Sequence, residues 1–174
     1  MPSMLRRLLD SPLLSRIRRN HALEHATIHV LSSRFPRRPL VGRSDAQGFY
    51  LYADVPLESV LLAAQEALAR LKAGERQLAL HPNCGTSLLT AGALAGTASF
   101  FTLLGGQEEG WRDRLGRLPL AVMVTVLALI VAQPLGMTAQ RLLTTEADPH
   151  SLQVDSIRPV RGMGSGLFRV LTRG

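Results

Sequence analysis

The sequence predicts an α+β fold: a small cytoplasmic domain with a two-helix transmembrane hairpin inserted near its C-terminal end. Three observations predict it. Residues 86–105 and 118–139 contain no charged side chain, and each run has the length of a membrane-crossing helix. The flanking segments alternate helical periodicity with short strand-like runs. Charge is segregated from the apolar runs: the net charge is +7 and 46% of residues are hydrophobic, at a mean hydropathy of +0.12. The expected division is residues 1–85 as the α+β part, 86–139 as the hairpin, and 140–174 as strands that complete the domain.

Pro12 to Arg34 is the first strong helix, with Ser11 as its N-cap and Pro12 at the first helical position. Leu14, Ile17, His21, Glu24, Ile28 and Leu31 are spaced as one stripe of that helix, and the stripe is otherwise apolar. Arg16, Arg18, Arg19 and Asn20 fall mostly on other faces, as solvated or lipid-headgroup contacts. Phe35 to Pro39 is a turn. Leu40–Arg43 and Gly48–Asp54 are expected strands, joined at Ser44 to Gln47. Pro56 opens an amphipathic helix with Val60, Ala64, Ala67, Leu68 and Leu71 on its apolar face, and Gly74 ends it. Gln77–Leu80 is an expected short strand leading into the turn His81-Pro82-Asn83-Cys84-Gly85-Thr86.

The hairpin follows. Gly92 and Gly96 in its first helix are spaced for close helix packing, and Pro134 in the second is tolerated in a membrane helix. The connecting segment 106–117 is short and polar and carries Trp111, a membrane-interface residue. Ser151–Val160 and Leu167–Leu171 are expected strands, separated by Gly162, Gly164 and Gly166.

The arginines set the expected orientation. Arg6, Arg7, Arg16, Arg18, Arg19, Arg34, Arg37 and Arg38 precede the hairpin; Arg141, Arg158, Arg161, Arg169 and Arg173 follow it. The loop has only Arg112, Arg114 and Arg117, offset by Glu108, Glu109 and Asp113. The expectation is a multi-pass protein of the bacterial inner membrane with both termini cytoplasmic. Met1 to Leu14 is too short and too charged for a secretory signal. A single cysteine excludes an intrachain disulfide and fits a reducing compartment. No nucleic-acid-binding motif accompanies the basic charge, so its expected partners are membrane lipids rather than nucleic acid.

The chemistry is concentrated in His21-Ala22-Leu23-Glu24-His25, an H-x-x-E-H run. On a helix His21 and His25 share a face and can grip one metal ion, and Glu24 beside them can take a proton from a water at that metal. Chance would produce roughly 0.006 such runs in a chain of this composition, so the spacing supports a functional reading. The alternative is a buried His–Glu–His hydrogen-bond network without metal. His29, one turn further, fits a partly buried helical histidine.

His81 and Cys84 form a second cluster. Cys84 stands at an expected helix start, where a thiolate is favoured and would be a good ligand for Zn²⁺. The alternative is a small buried residue at a helix start; His81 could equally be a turn or capping residue. Three protein ligands plus water would make a catalytic site, and four a closed one.

The pair Asn20-His21-Ala22-Leu23-Glu24-His25 and His81-Pro82-Asn83-Cys84-Gly85-Thr86 resembles an uncharacterised bacterial membrane-protein family, a domain of unknown function. The resemblance runs from about Leu14 to the end of the first membrane helix and implies two membrane helices. The H-x-x-E-H run separately resembles the insulinase/pitrilysin metallopeptidases. That resemblance implies His21 and His25 as zinc ligands, Glu24 as base and a downstream glutamate as third ligand, for which Glu58 and Glu66 are the candidates. The leading functional expectation is a membrane-anchored zinc-dependent hydrolase, a peptidase acting on a membrane-protein tail or juxtamembrane peptide. The alternatives are a non-catalytic metal-binding or sensing protein with a closed His/Cys site, and a thiol enzyme with Cys84 as nucleophile.

Overall fold

The computed structural model describes residues 4–104, 110–160 and 166–174. Gly105, Gly106, Glu108, Glu109, Arg161, Gly162 and Gly164, to which the sequence assigns the end of the first apolar helix, parts of the loop and the spacing of the last two strands, lie outside the described residues. The chain divides into two compact units: Met1–His81 with Arg141–Gly174, and Pro82–Gln140.

The first unit is α+β. Helix α1 (Met4–Leu9), for which the sequence carried no signal, precedes α2 (Pro12–Arg34). Strands β1 (Leu40–Asp45) and β2 (Gly48–Ala53) form a hairpin, and α3 (Leu57–Lys72) follows. Strands β3 (Gln153–Pro159) and β4 (Leu167–Arg173) close an antiparallel sheet of order β1-β2-β4-β3. Along β2 the pleat points Phe49, Leu51 and Ala53 into the core, and Tyr50 and Tyr52 to the exposed face. Phe49 lies opposite Val170, and Leu51 opposite Phe168. These side chains pack against Ala22, Leu23, Ala26 and Val30 of α2 and Val60, Ala63, Ala67 and Leu71 of α3. At roughly 25 cal/mol per Å² of apolar surface removed from water, this burial is what holds the unit together.

The hairpin turn is tight for two stated reasons. Asp45 Oδ1 accepts the Gln47 amide at 2.8 Å, a local turn bond. Gly48 sits at φ +145°, where a Cβ would stand 2.1 Å from the Val170 carbonyl oxygen. Gly74, at φ +94°, ends α3 as the sequence predicts. Its amide bonds the Leu71 carbonyl and the next amide, Glu75, bonds that of Arg70, which satisfies two orphan carbonyls of the last turn. Ser11 occupies the N-cap of α2, but its side chain makes no capping hydrogen bond.

Two expectations about this unit are corrected. Helix α2 is not a one-faced amphipathic helix: Asn20 and every residue from Ala22 to Ile28 are buried. Arg18 and Asn20, expected in solvent, are buried too. Asn20 Nδ2 donates to the Asp45 carbonyl at 2.8 Å, and Thr172 Oγ1 donates to Asn20 Oδ1 at 2.7 Å, so this amide ties α2 to β1 and β4. The second correction is Gln77–Leu80. It is not a strand; Arg76–Ala79 forms a 3₁₀ turn that buries Leu78 and Ala79. Four other strands fill the sheet, and no β-branched residue here favours an extended run.

The second unit is a helical hairpin: α4 (Gly85–Leu104), α5 (Trp111–Gly116) and α6 (Leu118–Ala139), with α6 running on into a π turn at Gln140–Thr144. The spans Gly85–Leu104 and Leu118–Thr144 are long and apolar enough to cross a membrane, with mean hydropathies of 1.5 and 2.2. Only 6% and 11% of these windows is buried, so their leucines, valines and phenylalanines face outward, unlike the core helices of a water-soluble fold. The two helices touch through small and polar residues. Ser99 Oγ and Thr125 Oγ1 are 2.6 Å apart, and Gln140 Nε2 donates to Ser87 Oγ at 2.6 Å. Close approach comes at Gly136, where a Cβ would meet Ser87 Cα at 2.9 Å, and not at Gly92 or Gly96, which face away from any neighbour.

Candidate metal centre

Helix α2 presents His21, His25 and His29 one turn apart. His21 and His25 meet edge to face with ring centroids 4.3 Å apart. His81, directly after the 3₁₀ turn, lies 5.8 Å from His25 and 5.2 Å from His29. Four of the five histidines therefore form one file of imidazoles inside the first unit. His25 is buried and His21 half-buried.

Main-chain carbonyls orient these rings. His21 Nδ1 donates to the Thr144 carbonyl at 2.9 Å, and His25 Nδ1 to that of Ala79 at 2.8 Å. His29 Nε2 donates to the Leu80 carbonyl at 2.8 Å. A carbonyl can only accept, so the ring nitrogen facing it carries the proton. In a neutral ring the opposite nitrogen then holds a lone pair: Nε2 of His21 and His25, Nδ1 of His29. This is the outer-shell arrangement that fixes ring and tautomer in metal-binding histidines. One ring nitrogen of His21 and one of His25 lie within 4.8 Å of each other, close enough to share an ion.

The 3₁₀ turn explains how the carbonyls come to be available. In a central strand, alternate carbonyls of this segment would be spent on ladder bonds. Here the carbonyls of Ala79, the last residue of the turn, and of Leu80, the extended residue after it, accept from α2 instead. The π turn at Gln140–Thr144 similarly leaves the Thr144 carbonyl for His21. None of these three acceptors is visible in a sequence, because every residue type carries a carbonyl.

His81 has its pKa pushed down to about 4, first by burial and then by the neighbouring His25 and His29 rings. Near neutral pH it is an uncharged imidazole with a lone pair.

Glu24 is 4% exposed and lies against β1. A Cβ at Gly42 would fall 2.3 Å from Glu24 Oε1 and 2.6 Å from its Cδ, so glycine at 42 makes room for the carboxylate. Around the helix Glu24 stands about 60° from His21 and about 100° from His25, on the flank of the pair. Cys84 is buried immediately before α4, and its carbonyl accepts the Leu88 amide, which places it at the helix N-cap as expected. Neither downstream glutamate joins the histidines. Glu66 pairs with Arg34 and Arg70 on the surface, and Glu58 is exposed in the first turn of α3.

Against known proteins, an uncharacterized protein of Picosynechococcus sp. (strain ATCC 27264 / PCC 7002 / PR-6) is 36% identical over 156 residues, covering 82% of this chain and 71% of that protein. No solved structure matches the chain. The family model described as "Domain of unknown function (DUF6391)" matches residues 16–157, which takes in the histidine helix, the His81–Thr86 turn and both apolar helices, and the chain belongs to that family.

Proposed function

We propose that this protein is a membrane-anchored, zinc-dependent hydrolase, a peptidase working at the cytoplasmic face of the bacterial inner membrane. His21 and His25 would hold Zn²⁺ through Nε2, with Cys84 as third ligand and His81 as its substitute. Chain connectivity supports the assignment: Cys84 comes three positions after His81, a reach of at most about 11 Å. Two imidazoles and a thiolate suit zinc. Bound zinc would polarise a scissile carbonyl and lower the pKa of water. Glu24, on the flank of the pair, would accept the proton and return it to the leaving amine.

The observation that carries this reading is the pair of main-chain carbonyls that accept from Nδ1 of His21 and His25, which orients both rings and makes Nε2 the unprotonated nitrogen of each neutral imidazole. Its test is alkylation of Cys84, the chain's single thiol. Labelling is expected to be slow in zinc-loaded protein and fast after chelation. Equal rates in both states would remove Cys84 from the site. Fast labelling that also inactivates metal-free protein would favour a thiol enzyme.

Membrane placement rests on the two outward-apolar helices and the arginine excess flanking them. Reporter fusions after Gly174 and between Gly110 and Trp111 are expected to report opposite sides, with Gly174 cytoplasmic. Both reporters on one side would remove the two-span arrangement.

A second reading is favoured by one observation. The His81 ring stands beside His25 and supplies a further nitrogen donor. Four ligands would close the site and leave a metal-binding or sensing protein without turnover.

A further inference from the structure

We propose that the first unit contains a binding pocket for the phosphate of an anionic phospholipid headgroup, separate from the histidine site. The pocket has a volume of about 450 Å³ and is lined by Arg18, Arg76, Arg141, Thr145 and Glu146, among others. Three guanidinium groups against one carboxylate leave a net charge of +2, from 3 − 1.

The arginines differ in state. Arg18 is 9% exposed and braces the wall: its Nη2 donates to the Thr145 carbonyl at 3.1 Å, and its Nη1 lies 3.5 Å from Glu146 Oε2. Its Nε is buried with no hydrogen-bond partner among the described residues. A buried guanidinium N–H without an acceptor is costly, and an anion entering the pocket would relieve it. Arg76 and Arg141 are exposed, and no described carboxylate lies within ion-pairing distance of either. Two unpaired guanidiniums and one buried one around a cavity of this size suit a tetrahedral oxyanion, which arginine binds through paired N–H groups.

The chain supplies the argument for a lipid source. Arg141 comes two residues after α6, at the end of an apolar span of 27 residues. A long cationic side chain at the end of a membrane helix extends to headgroup depth. The proposal rests on the reading that α6 crosses the membrane. A peptide carboxylate would satisfy the same charges, but nothing fixes its depth.

The test uses the full chain, delipidated in neutral detergent. Phosphatidylglycerol and phosphatidylcholine are titrated in and bound lipid is counted by native mass spectrometry. One phosphatidylglycerol per chain is expected to be retained, about tenfold more tightly than phosphatidylcholine. An Arg76→Gln/Arg141→Gln variant is expected to lose that preference, while Arg158→Gln on exposed β3 keeps it. Unchanged melting temperature and zinc content in the double variant exclude misfolding, and separate this result from the metal reading. Retention measured in detergent does not require that α6 span a bilayer, so it is also separable from the reporter result. Competition assigns the source. Displacement by inorganic phosphate at matching concentration would support the phosphate pocket and make free phosphate its ligand. Equal retention of the two lipids without such displacement, an unchanged double variant, or displacement only by a peptide ending in glutamate would overturn it.

Discussion

Purified chain is expected to carry about one zinc ion, and His25→Ala to carry less than about a tenth of that. His25 is the more informative of the pair, because two roles converge on it. Its Nε2 is the proposed ligand atom beside His21, and its Nδ1 proton binds the Ala79 carbonyl that fixes the ring. Alanine removes the ligand and leaves a buried carbonyl without its donor, at a cost of about 1–3 kcal/mol in folding stability. Metal loss must therefore be read beside a melting curve. His21→Ala provides the cleaner control, since its ring is only half-buried, and its zinc content should fall equally. Elemental analysis of the three proteins checks the expectation; wild-type zinc in both variants would leave the histidines as a metal-free network.

Glu24→Gln is expected to keep its zinc and lose roughly 10²–10⁴-fold in turnover of a quenched-fluorescent peptide library. Glutamine preserves the shape that Gly42 accommodates but cannot take a proton at neutral pH. Gly42→Ala approaches the same residue from the strand: its Cβ would overlap the carboxylate and force it aside while leaving both imidazoles in place. The two variants should share one phenotype, zinc-replete and slow. If wild-type protein holds zinc yet turns over no peptide, and Glu24→Gln matches it in every respect, the closed, non-catalytic site is the correct reading.

Much of the scaffold was legible in the residues. The bounds of α2, the apolar face of α3, the Gly74 terminus and the two terminal strands follow from local rules that tertiary contacts here reinforce. The two apolar helices followed from their lack of charge. What escaped is non-local. Arg18 and Asn20 have the composition of a solvent face, yet β1, β4 and the segment after α6 cover them from positions distant in sequence. Gly92 and Gly96 have the spacing of a packing motif, but Gly136 and Ser87 make the close approach. The candidate site divides in the same way. His21, Glu24, His25, His81 and Cys84 could be nominated by type and spacing, whereas the orienting groups behind them could not.

The 3₁₀ turn before His81 has a consequence for how this family can vary. The acceptors for His25 and His29 belong to the peptide bond, so exchanging the side chains at 79 and 80 leaves them in place. An alanine scan would pass over these positions. Insertion or deletion of one residue between Arg76 and Leu80 would rotate the carbonyls off the rings even where every histidine is kept. Relatives that retain the chemistry should thus tolerate drift in sequence across this turn while holding its length constant.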